Sequence, residues 1–255
     1  MDLGLNSRVA FVTGSSQGIG SAIARLFAKE GARVAISYRK NRDKALALAD
    51  ELEAAGGEAM VVAYDLASRE SIHAAAAEIA ARWGGVDCLV NNAVEWESGS
   101  PRSQPAFEQL PEAEWSSQLQ ANIGGVVATI QAVLPFMRKR RWGRIVSISS
   151  GVAVDGMVGA GIYGAAKSAL HGLTRSLFKE LGPDGILVNV VMAGFTLTER
   201  VRERFPAAQL DAQAAQAPLR RLPTPSEVAS TVVFLASTAN TIVTGEIVRA
   251  SGGIS

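Results

Sequence analysis

Short apolar stretches alternate with longer amphipathic stretches along the whole chain. The apolar stretches are rich in β-branched residues, and several carry almost no polar side chain. That pattern is typical of strands that are buried on both faces of a sheet. It predicts seven strands, at residues 8–12, 33–38, 58–64, 87–91, 143–149, 186–192 and 246–249.

The amphipathic stretches predict helices between these strands. Gly31, Gly56 and Gly84 follow three of them, and glycine commonly ends a helix because it adopts the left-handed conformation without strain. Pro111 suits the first position of a long fourth helix. The predicted helices cover residues 19–30, 41–55, 68–83, a long stretch from Pro111, 164–181 and 226–236.

Regular alternation of strand and helix favours right-handed βαβ units. We therefore predict an α/β fold: a single doubly wound domain over residues 1–255, with a seven-stranded parallel sheet and helices on both faces. Residues 195–223 are polar, rich in alanine and arginine, and lie outside this alternation. We interpret them as a substrate lid with short helices, with plain surface decoration as the alternative.

The composition excludes several classes of function. The chain has 255 residues, 48% of them hydrophobic, and a formal net charge of +1, so no general electrostatic attraction to nucleic acid or an acidic membrane is expected. No apolar run reaches the roughly 18 uninterrupted residues of a membrane span, and the N-terminal residues do not resemble a signal peptide. We expect a cytoplasmic protein. Cys88 is the single cysteine and the two histidines are far apart, so neither a disulfide nor a metal site is expected.

A glycine-rich turn links the first predicted strand to the first predicted helix. Residues 13–20 read TGSSQGIG. Such a turn lets the backbone approach a pyrophosphate, whose charge then meets the helix N-terminus. Glycines needed only for tight packing are the alternative. The position between strand and helix, at the start of the βαβ series, favours a Rossmann-type dinucleotide site.

The end of the second predicted strand bears on the choice of dinucleotide. An acidic residue there binds a free ribose 2′-hydroxyl, whereas a nearby arginine accommodates a 2′-phosphate. Residues 37–42 read SYRKNR, without a carboxylate. Arg39 could pair with the phosphate in a charge-assisted contact. Our hypothesis is therefore NADP(H), and the alternative is that these cations are simply solvated.

Tyr163 and Lys167 lie four residues apart at the start of a predicted helix, so both side chains share one face. A free phenol titrates near pH 10, which is too high for efficient proton exchange at neutrality. A neighbouring ammonium would lower the pKa of the phenol. Ser150, at the end of the fifth predicted strand, could hold a carbonyl oxygen as charge develops on it.

Together these motifs resemble the short-chain dehydrogenase/reductase family. The glycine spacing with its leading threonine matches, Ser150 lies 13 residues before Tyr163, and Asn122 lies in the preceding long helix. The resemblance covers residues 9–253. It implies that Tyr163 exchanges the proton, that Ser150 holds the carbonyl, and that Asn122 supports Lys167 through a water. The implied catalytic residues are Asn122, Ser150, Tyr163 and Lys167.

The resemblance also implies a set of residues that bind the cofactor. It assigns Asp65 to the adenine, Asn92 and Ala93 to the wall of the cleft, and the segment from Gly194 to the nicotinamide. The complete set comprises Gly14, Ser16, Gln17, Gly18, Ile19, Gly20, Tyr38, Arg39, Asp65, Leu66, Asn92, Ala93, Tyr163, Lys167, Gly194, Thr196 and Thr198.

The chain departs from the family pattern outside the four catalytic positions. Val94 and Ala193 replace a usual glycine and proline, and Ala250 and Ser251 replace a usual valine and aspartate. These changes bear on specificity and on assembly. The resemblance implies a homodimer or homotetramer built through the long central helices, where residues such as Gly164 are small.

Within the family, the motifs are most similar to those of 3-oxoacyl-carrier-protein reductases, which include polyketide ketoreductases. The implied reaction is reduction of a small-molecule or carrier-protein-bound ketone. The basic run 138–141 could dock an acidic carrier protein, or could simply suit the negative end of a helix dipole. Residues 95–105 and 195–216 are expected to shape the pocket, with Trp96 and Phe195 as an apolar wall or as core. An NAD-dependent alcohol dehydrogenase and a catalytically idle NADP-binding regulator are the alternatives.

Overall fold

Seven strands pair side by side in one parallel sheet. The computed structural model describes residues 2–95 and 105–254. Across the sheet the order is β3-β2-β1-β4-β5-β6-β7. The predicted strands are all present, with ends shifted by a residue in several cases. The strands are β1 (Val9–Val12), β2 (Arg33–Tyr38), β3 (Glu58–Ala63), β4 (Cys88–Asn91), β5 (Gly143–Ser150), β6 (Ile186–Ala193) and β7 (Ile247–Ala250).

Helices cover both faces of this sheet, which confirms the predicted α/β architecture. Helices α1, α2 and α10 pack on one face, while α3, α5 and α7 pack on the other. The helices are α1 (Gly18–Lys29), α2 (Arg42–Ala54), α3 (Arg69–Trp83), α4 (Glu112–Leu119), α5 (Val126–Arg140), α6 (Val152–Asp155), α7 (Gly161–Leu181), α8 (Glu199–Arg204), α9 (Ala207–Gln216) and α10 (Pro225–Leu235).

The central strand β1 shows why its sequence is apolar at every position. Ala10 and Val12 point to the face covered by α1, whereas Val9 and Phe11 point to the face covered by α3. All four side chains are buried. Because successive side chains of a strand alternate between faces, a sheet that is covered on both sides needs an apolar residue at each position.

The long helix predicted from Pro111 is interrupted. Helix α4 continues into a π-helical turn (Gln120–Gly125) before α5 begins. At Gly125 the backbone lies so close to the carbonyl oxygen of Leu66 that an added Cβ would lie 2.1 Å from it. By length and composition the stretch Glu112–Arg140 could cross a membrane. It packs instead against α3 and α7, as a core helix does.

The segment between β6 and α10 contains two short helices, α8 and α9, as expected. It has a small apolar cluster of its own, in which Phe195 packs beside Ala217, Leu222 and Ile254. The Phe195 ring also meets the Phe205 ring edge-on, with 5.2 Å between centroids. Phe195 therefore belongs to the core of this segment.

Replacing Gly125 by alanine tests the close approach to Leu66. The added methyl group has no room against a backbone oxygen, so we expect Gly125→Ala to lower the free energy of unfolding by about 2 kcal/mol. Gly172→Ala is the matched control, because it lies on α7 with nothing within 4 Å of an added Cβ. That change should raise stability by about 0.5 kcal/mol. Urea denaturation of both variants gives the comparison, and equal stabilities would contradict the steric argument.

Candidate active site

The turn after β1 brings the backbone unusually close to the end of β4. Gly14 and Gly18 have φ values of +64° and +62°, a conformation that L side chains rarely adopt. A Cβ on Gly20 would lie 2.5 Å from the carbonyl oxygen of Gly14. Each of these glycines in the TGSSQGIG turn is thus required by backbone geometry or by a close contact.

Side chains hold this turn against the end of β4. Asn92 donates from Nδ2 to the carbonyl oxygens of Thr13 (2.9 Å) and Gly14 (3.0 Å). In return the Thr13 hydroxyl accepts from the backbone N–H groups of Asn92 (2.9 Å) and Ala93 (3.0 Å). On the other side, Ser37 accepts from the Gly14 N–H at 2.7 Å. The turn is therefore fixed to both neighbouring strands.

A cleft of about 610 Å³ opens where this turn meets the ends of β2 and β4. Most of the residues predicted to bind a dinucleotide line it. Asp65, Gly194 and Thr196 do not, and neither do the catalytic candidates Tyr163 and Lys167. The lining residues are Gly14, Ser16, Gln17, Gly18, Ile19, Gly20, Ser37, Tyr38, Arg39, Lys40, Asn41, Lys44, Tyr64, Leu66, Asn92, Ala93, Val94, Glu95, Thr198, Glu199, Arg200 and Glu203.

The cleft has chemistry that suits a dinucleotide. At the N-terminus of α1, Gln17 makes no capping hydrogen bond through its side chain, and the first turn contains no acidic residue. The free N–H groups and the dipole at the N-terminus of α1 therefore suit an anion. The cleft lining also contains four cationic residues: Arg39, Lys40, Lys44 and Arg200. These residues fit a pyrophosphate together with a further phosphate.

Arg39 already has partners in the structure. Its guanidinium forms a bidentate ion pair with Glu95 and lies 3.9 Å from the Asp65 carboxylate. Asp65 also accepts from the N–H of Ala67 at 2.9 Å, so its side chain closes a local turn. Sequence reasoning placed Asp65 against the adenine and did not anticipate Glu95. Nothing in the local sequence signals that pair, because its members are far apart along the chain.

The segment after β6 contributes four residues to the cleft: Thr198, Glu199, Arg200 and Glu203. Thr198 caps α8 by accepting from the N–H of Val201 at 3.3 Å, and its methyl group lies beside Gly18. Thr196 is buried and donates to the Gly194 carbonyl at 3.0 Å. An added Cβ on Gly194 would meet the carbonyl oxygen of Ile254 at 2.4 Å. Gly194 and Thr196 thus shape the turn that presents Thr198.

The three predicted catalytic side chains of β5 and α7 come together. Ser150 ends β5, and its side chain hydrogen-bonds the hydroxyl of Tyr163. Helix α7 begins at Gly161, earlier than predicted, which places Tyr163 in its first turn. Lys167 lies one turn further on, with Nζ 5.7 Å from the centroid of the Tyr163 ring. Nζ donates to the carbonyl oxygen of Ile148 at 2.8 Å.

Burial dominates the electrostatics of this group. It raises the pKa of the Tyr163 phenol, and the hydrogen bond from Ser150 opposes the rise. It lowers the pKa of the Lys167 ammonium to about 8. In both cases the low-dielectric surroundings disfavour the charged form. The net pKa shift of Tyr163 is therefore opposite to the one that a nearby ammonium alone would produce.

Asn122 lies inside the π-helical turn and holds the end of β4. Its Oδ1 accepts from the N–H of Glu95 at 2.9 Å, and its Nδ2 donates to the Glu95 carbonyl at 2.8 Å. Nδ2 also donates to the Gln118 carbonyl at 3.0 Å. A π-helical turn widens the helix and often occurs at functional sites. Asn122 thus fixes the backbone of residue 95.

Sequence reasoning did not anticipate the contact between a histidine of α7 and the end of β5. His171 lies one turn beyond Lys167, and its Nε2 is 2.8 Å from the hydroxyl of Ser149. Burial lowers the pKa of His171, so its neutral form is favoured. Within the described residues no cluster of three potential metal ligands exists. Trp96, predicted to help shape the pocket, lies outside the described residues.

Comparison with known proteins identifies the family. A family model described as enoyl-(acyl carrier protein) reductase matches residues 14–255. The chain belongs to the short-chain dehydrogenase/reductase family. It is 38% identical over 262 residues to the 3-oxoacyl-(acyl-carrier-protein) reductase FabG of Aquifex aeolicus, with 100% of both chains covered. The FabG protein of Vibrio cholerae is 38% identical over 252 residues, with 99% of both chains covered.

Solved structures of this short-chain dehydrogenase/reductase family superpose closely on the chain. An L-sorbose reductase from Gluconobacter frateurii, in complex with NADPH and L-sorbose, gives a TM-score of 0.90 at 31% identity, covering 100% of this chain and 98% of the other. A 7α-hydroxysteroid dehydrogenase, in complex with NADH, gives a TM-score of 0.89 at 32% identity, covering 99% of this chain and 96% of the other. The protein is thus an oxidoreductase of CH–OH or C=O groups from a family that uses nicotinamide cofactors.

The buried ammonium of Lys167 has a measurable consequence for stability. Its pKa in the folded protein is about 8, against 10.5 for a free lysine. Between these values the folded state binds fewer protons than the unfolded state, so this group adds stability as the pH rises. Relative to Lys167→Met, we expect wild type to gain about 3 kcal/mol of unfolding free energy between pH 8 and pH 10.5. Urea titrations along the pH series measure this difference, and a constant difference would contradict a buried ammonium.

Proposed function

We propose that the protein is an NADPH-dependent reductase that converts the ketone of a 3-oxoacyl thioester, held on a carrier protein, to an alcohol. The observation that carries this proposal is the group of Ser150, Tyr163 and Lys167 at the carboxyl end of β5. Ligands of open α/β sheets bind at the carboxyl ends of the strands, where the dinucleotide cleft also opens.

The three side chains fit a division of labour in carbonyl reduction. When bound, NADPH supplies the hydride that reduces the carbonyl carbon. Tyr163 donates its phenolic proton to the carbonyl oxygen, and Ser150 donates a hydrogen bond to the same oxygen as negative charge develops. The products are the alcohol and NADP⁺, and a proton from solvent restores Tyr163.

Lys167 and Asn122 have supporting roles in this proposal. The ammonium of Lys167 stabilises the phenolate that remains after proton transfer, since opposite charges attract strongly in a buried site. Asn122 acts as a positioning residue, because its hydrogen bonds to the backbone of Glu95 fix the wall of the site. The resemblance to the family further assigns Asn122 to a water relay towards Lys167.

Apolar side chains support a substrate with an acyl chain. The segment between Ser150 and Tyr163 exposes Val154, Met157 and Val158. Phe107 is 72% exposed, and its ring lies beside Gly161 at the start of α7. Clustered exposed apolar side chains are unusual on a free surface and often mark a binding site. The names of the FabG relatives favour a carrier-bound substrate.

The basic run 138–141 does not support docking of a carrier within one protomer. Arg138 and Arg141 both pair with Asp184, at 3.4 Å and 3.7 Å, and Arg140 pairs with Asp87 at 2.8 Å. The basic run lies just before the first residue of β5, whereas Ser150 is the last residue of that strand. At about 3.3 Å per residue, the two ends of β5 are roughly 23 Å apart. The cations therefore pair with carboxylates of this chain, and they lie at the opposite end of β5 from Ser150.

The assembly and domain proposals follow from the same architecture. One sheet takes strands from residue 9 to residue 250, which supports a single domain. The resemblance to the family supports a homodimer or homotetramer. An NAD-dependent alcohol dehydrogenase is the second candidate, and the pairing of Arg39 with Glu95 favours it, since that pair occupies the cation assigned to a 2′-phosphate.

Loss of the Tyr163 hydroxyl should abolish turnover but not cofactor binding. We expect Tyr163→Phe to reduce NADPH-dependent reduction of an acetoacetyl thioester by about a thousandfold, because the proton donor is removed. The dissociation constant for NADPH, measured by fluorescence titration, should change little. Activity that survives the substitution would assign the proton to another group. Tight NADPH binding by a wild-type protein without turnover on any ketone would favour the idle regulator.

Reversing the charge at Arg39 tests the cofactor. An aspartate there would repel a 2′-phosphate and could bind a free 2′-hydroxyl. We expect Arg39→Asp to weaken NADPH binding by about tenfold or more and to weaken NADH binding far less, because the lost contact is charge-assisted. Calorimetric titration with each cofactor measures both values. An unchanged ratio of the two dissociation constants would contradict NADP(H) and support the dehydrogenase.

A further inference from the structure

The ion pair between Arg39 and Glu95 crosses the mouth of the dinucleotide cleft. Arg39 follows β2 and Glu95 follows β4, and these strands lie on either side of β1 in the sheet. The pair therefore passes over the end of β1, where the glycine-rich turn begins. Both residues line the cleft. Arg39 donates from both Nη atoms to the two carboxylate oxygens, which is the strongest geometry for such a pair.

Glu95 is held in place from behind. Asn122 accepts from the N–H of Glu95 at 2.9 Å and donates to its carbonyl at 2.8 Å. The side chain of Glu95 is 28% exposed and that of Arg39 is 39% exposed. A pair that is partly buried and fixed at its backbone loses less entropy than two mobile surface side chains. The contact is thus a defined feature of the cleft.

A phosphate that binds Arg39 must share it with this carboxylate. Glu95 occupies both Nη atoms of the guanidinium, and Asp65 lies 3.9 Å from the same group. A phosphate would also be repelled by the two carboxylates, since like charges at short range disfavour each other. Lys40 and Lys44 line the same cleft and remain as further cations. A ribose with free hydroxyls meets no such competition.

We propose that Glu95 is a specificity-determining residue, whose carboxylate competes with the 2′-phosphate of NADP(H) for Arg39 and so narrows the preference for NADP(H) over NAD(H). The inference rests on the proposed role of Arg39 in binding the 2′-phosphate. It assigns a function to a residue that the family resemblance leaves without one. The preference is then set by the pair of residues together.

Binding titrations without substrate test this proposal. We expect Glu95→Gln to lower the dissociation constant for NADPH by about threefold to fivefold, the range of a partly exposed ion pair. The dissociation constant for NADH should change by less than about twofold, because NADH has no 2′-phosphate to compete for Arg39. An unchanged constant for NADPH would overturn the proposal. So would an equal gain for both cofactors, because Glu95 would then obstruct the adenosine in general.

Two further variants separate the possible causes. Glu203→Gln removes a carboxylate that lines the same cleft, whereas the ion pairs of Arg39 within the described residues are with Glu95 and Asp65. If simple loss of negative charge is responsible, this variant should reproduce the effect of Glu95→Gln, and the proposal fails. In an Arg39→Ala background, Glu95→Gln should no longer improve NADPH binding.

The single variant Arg39→Ala distinguishes this inference from the proposed function. If Arg39→Ala weakens NADPH binding and Glu95→Gln changes nothing, the cofactor assignment stands and the role of Glu95 fails. If Arg39→Ala leaves NADPH binding unchanged, the role of Arg39 fails first, and with it the proposed cofactor preference. Thermal unfolding of each variant confirms that the fold is intact.

Discussion

Nδ2 of Asn92 donates two hydrogen bonds to the carbonyl oxygens of Thr13 and Gly14, and these bonds join the ends of the central strands β1 and β4. The order of the strands in the sheet reverses between these two strands. Strands β1 and β4 are neighbours in space but are separated by two βα units in sequence. At such a switch point the connections leave on opposite faces and a crevice opens. The crevice keeps its shape because Asn92 and Thr13 bind each other's backbones across it. Gly14 and Gly20 follow from this contact, since an added Cβ there would lie too close to Ala93 and to Asn92, respectively.

A second constraint acts on the proton chemistry. The site buries Lys167 to 6% exposure and Tyr163 beside it, and burial disfavours the charged form of each. Hydrogen bonds within the protein partly replace those that water would make: the Lys167 ammonium donates to the carbonyl of Ile148, and the Tyr163 phenol bonds to Ser150. A phenol with a raised pKa keeps its proton at neutral pH. The surroundings therefore favour the neutral phenol in the resting protein, which suits the proton donor that we propose.

How far the sequence could predict the molecule depends on the range of each interaction. The strands, the TGSSQGIG turn and the shared face of Tyr163 and Lys167 follow from local periodicity and spacing. The seven strands form the predicted sheet, and Tyr163 and Lys167 lie on one helix, α7. The local sequence did not predict the π-helical turn, and its Gly125 lies close to Leu66, which is far away in sequence. The partners of Arg39 and of Arg138 were missed because they too are far away in sequence. A run of cations in a sequence does not reveal which carboxylates the fold brings to it.

The end of β4 connects the two halves of the site. Asn92 faces the turn that suits a pyrophosphate, and Glu95, three residues on, faces Arg39 at the adenosine end. The backbone of Glu95 is bound by Asn122, one of the four predicted catalytic residues. A change in the position of residue 95 must therefore alter the contacts of both Arg39 and Asn122. Asn122 lies in a π-helical turn, a feature that often occurs at functional sites, and its side chain makes two of its three hydrogen bonds to Glu95. The residues that we propose for the choice of cofactor and for the positioning of the catalytic group thus share one short stretch of backbone.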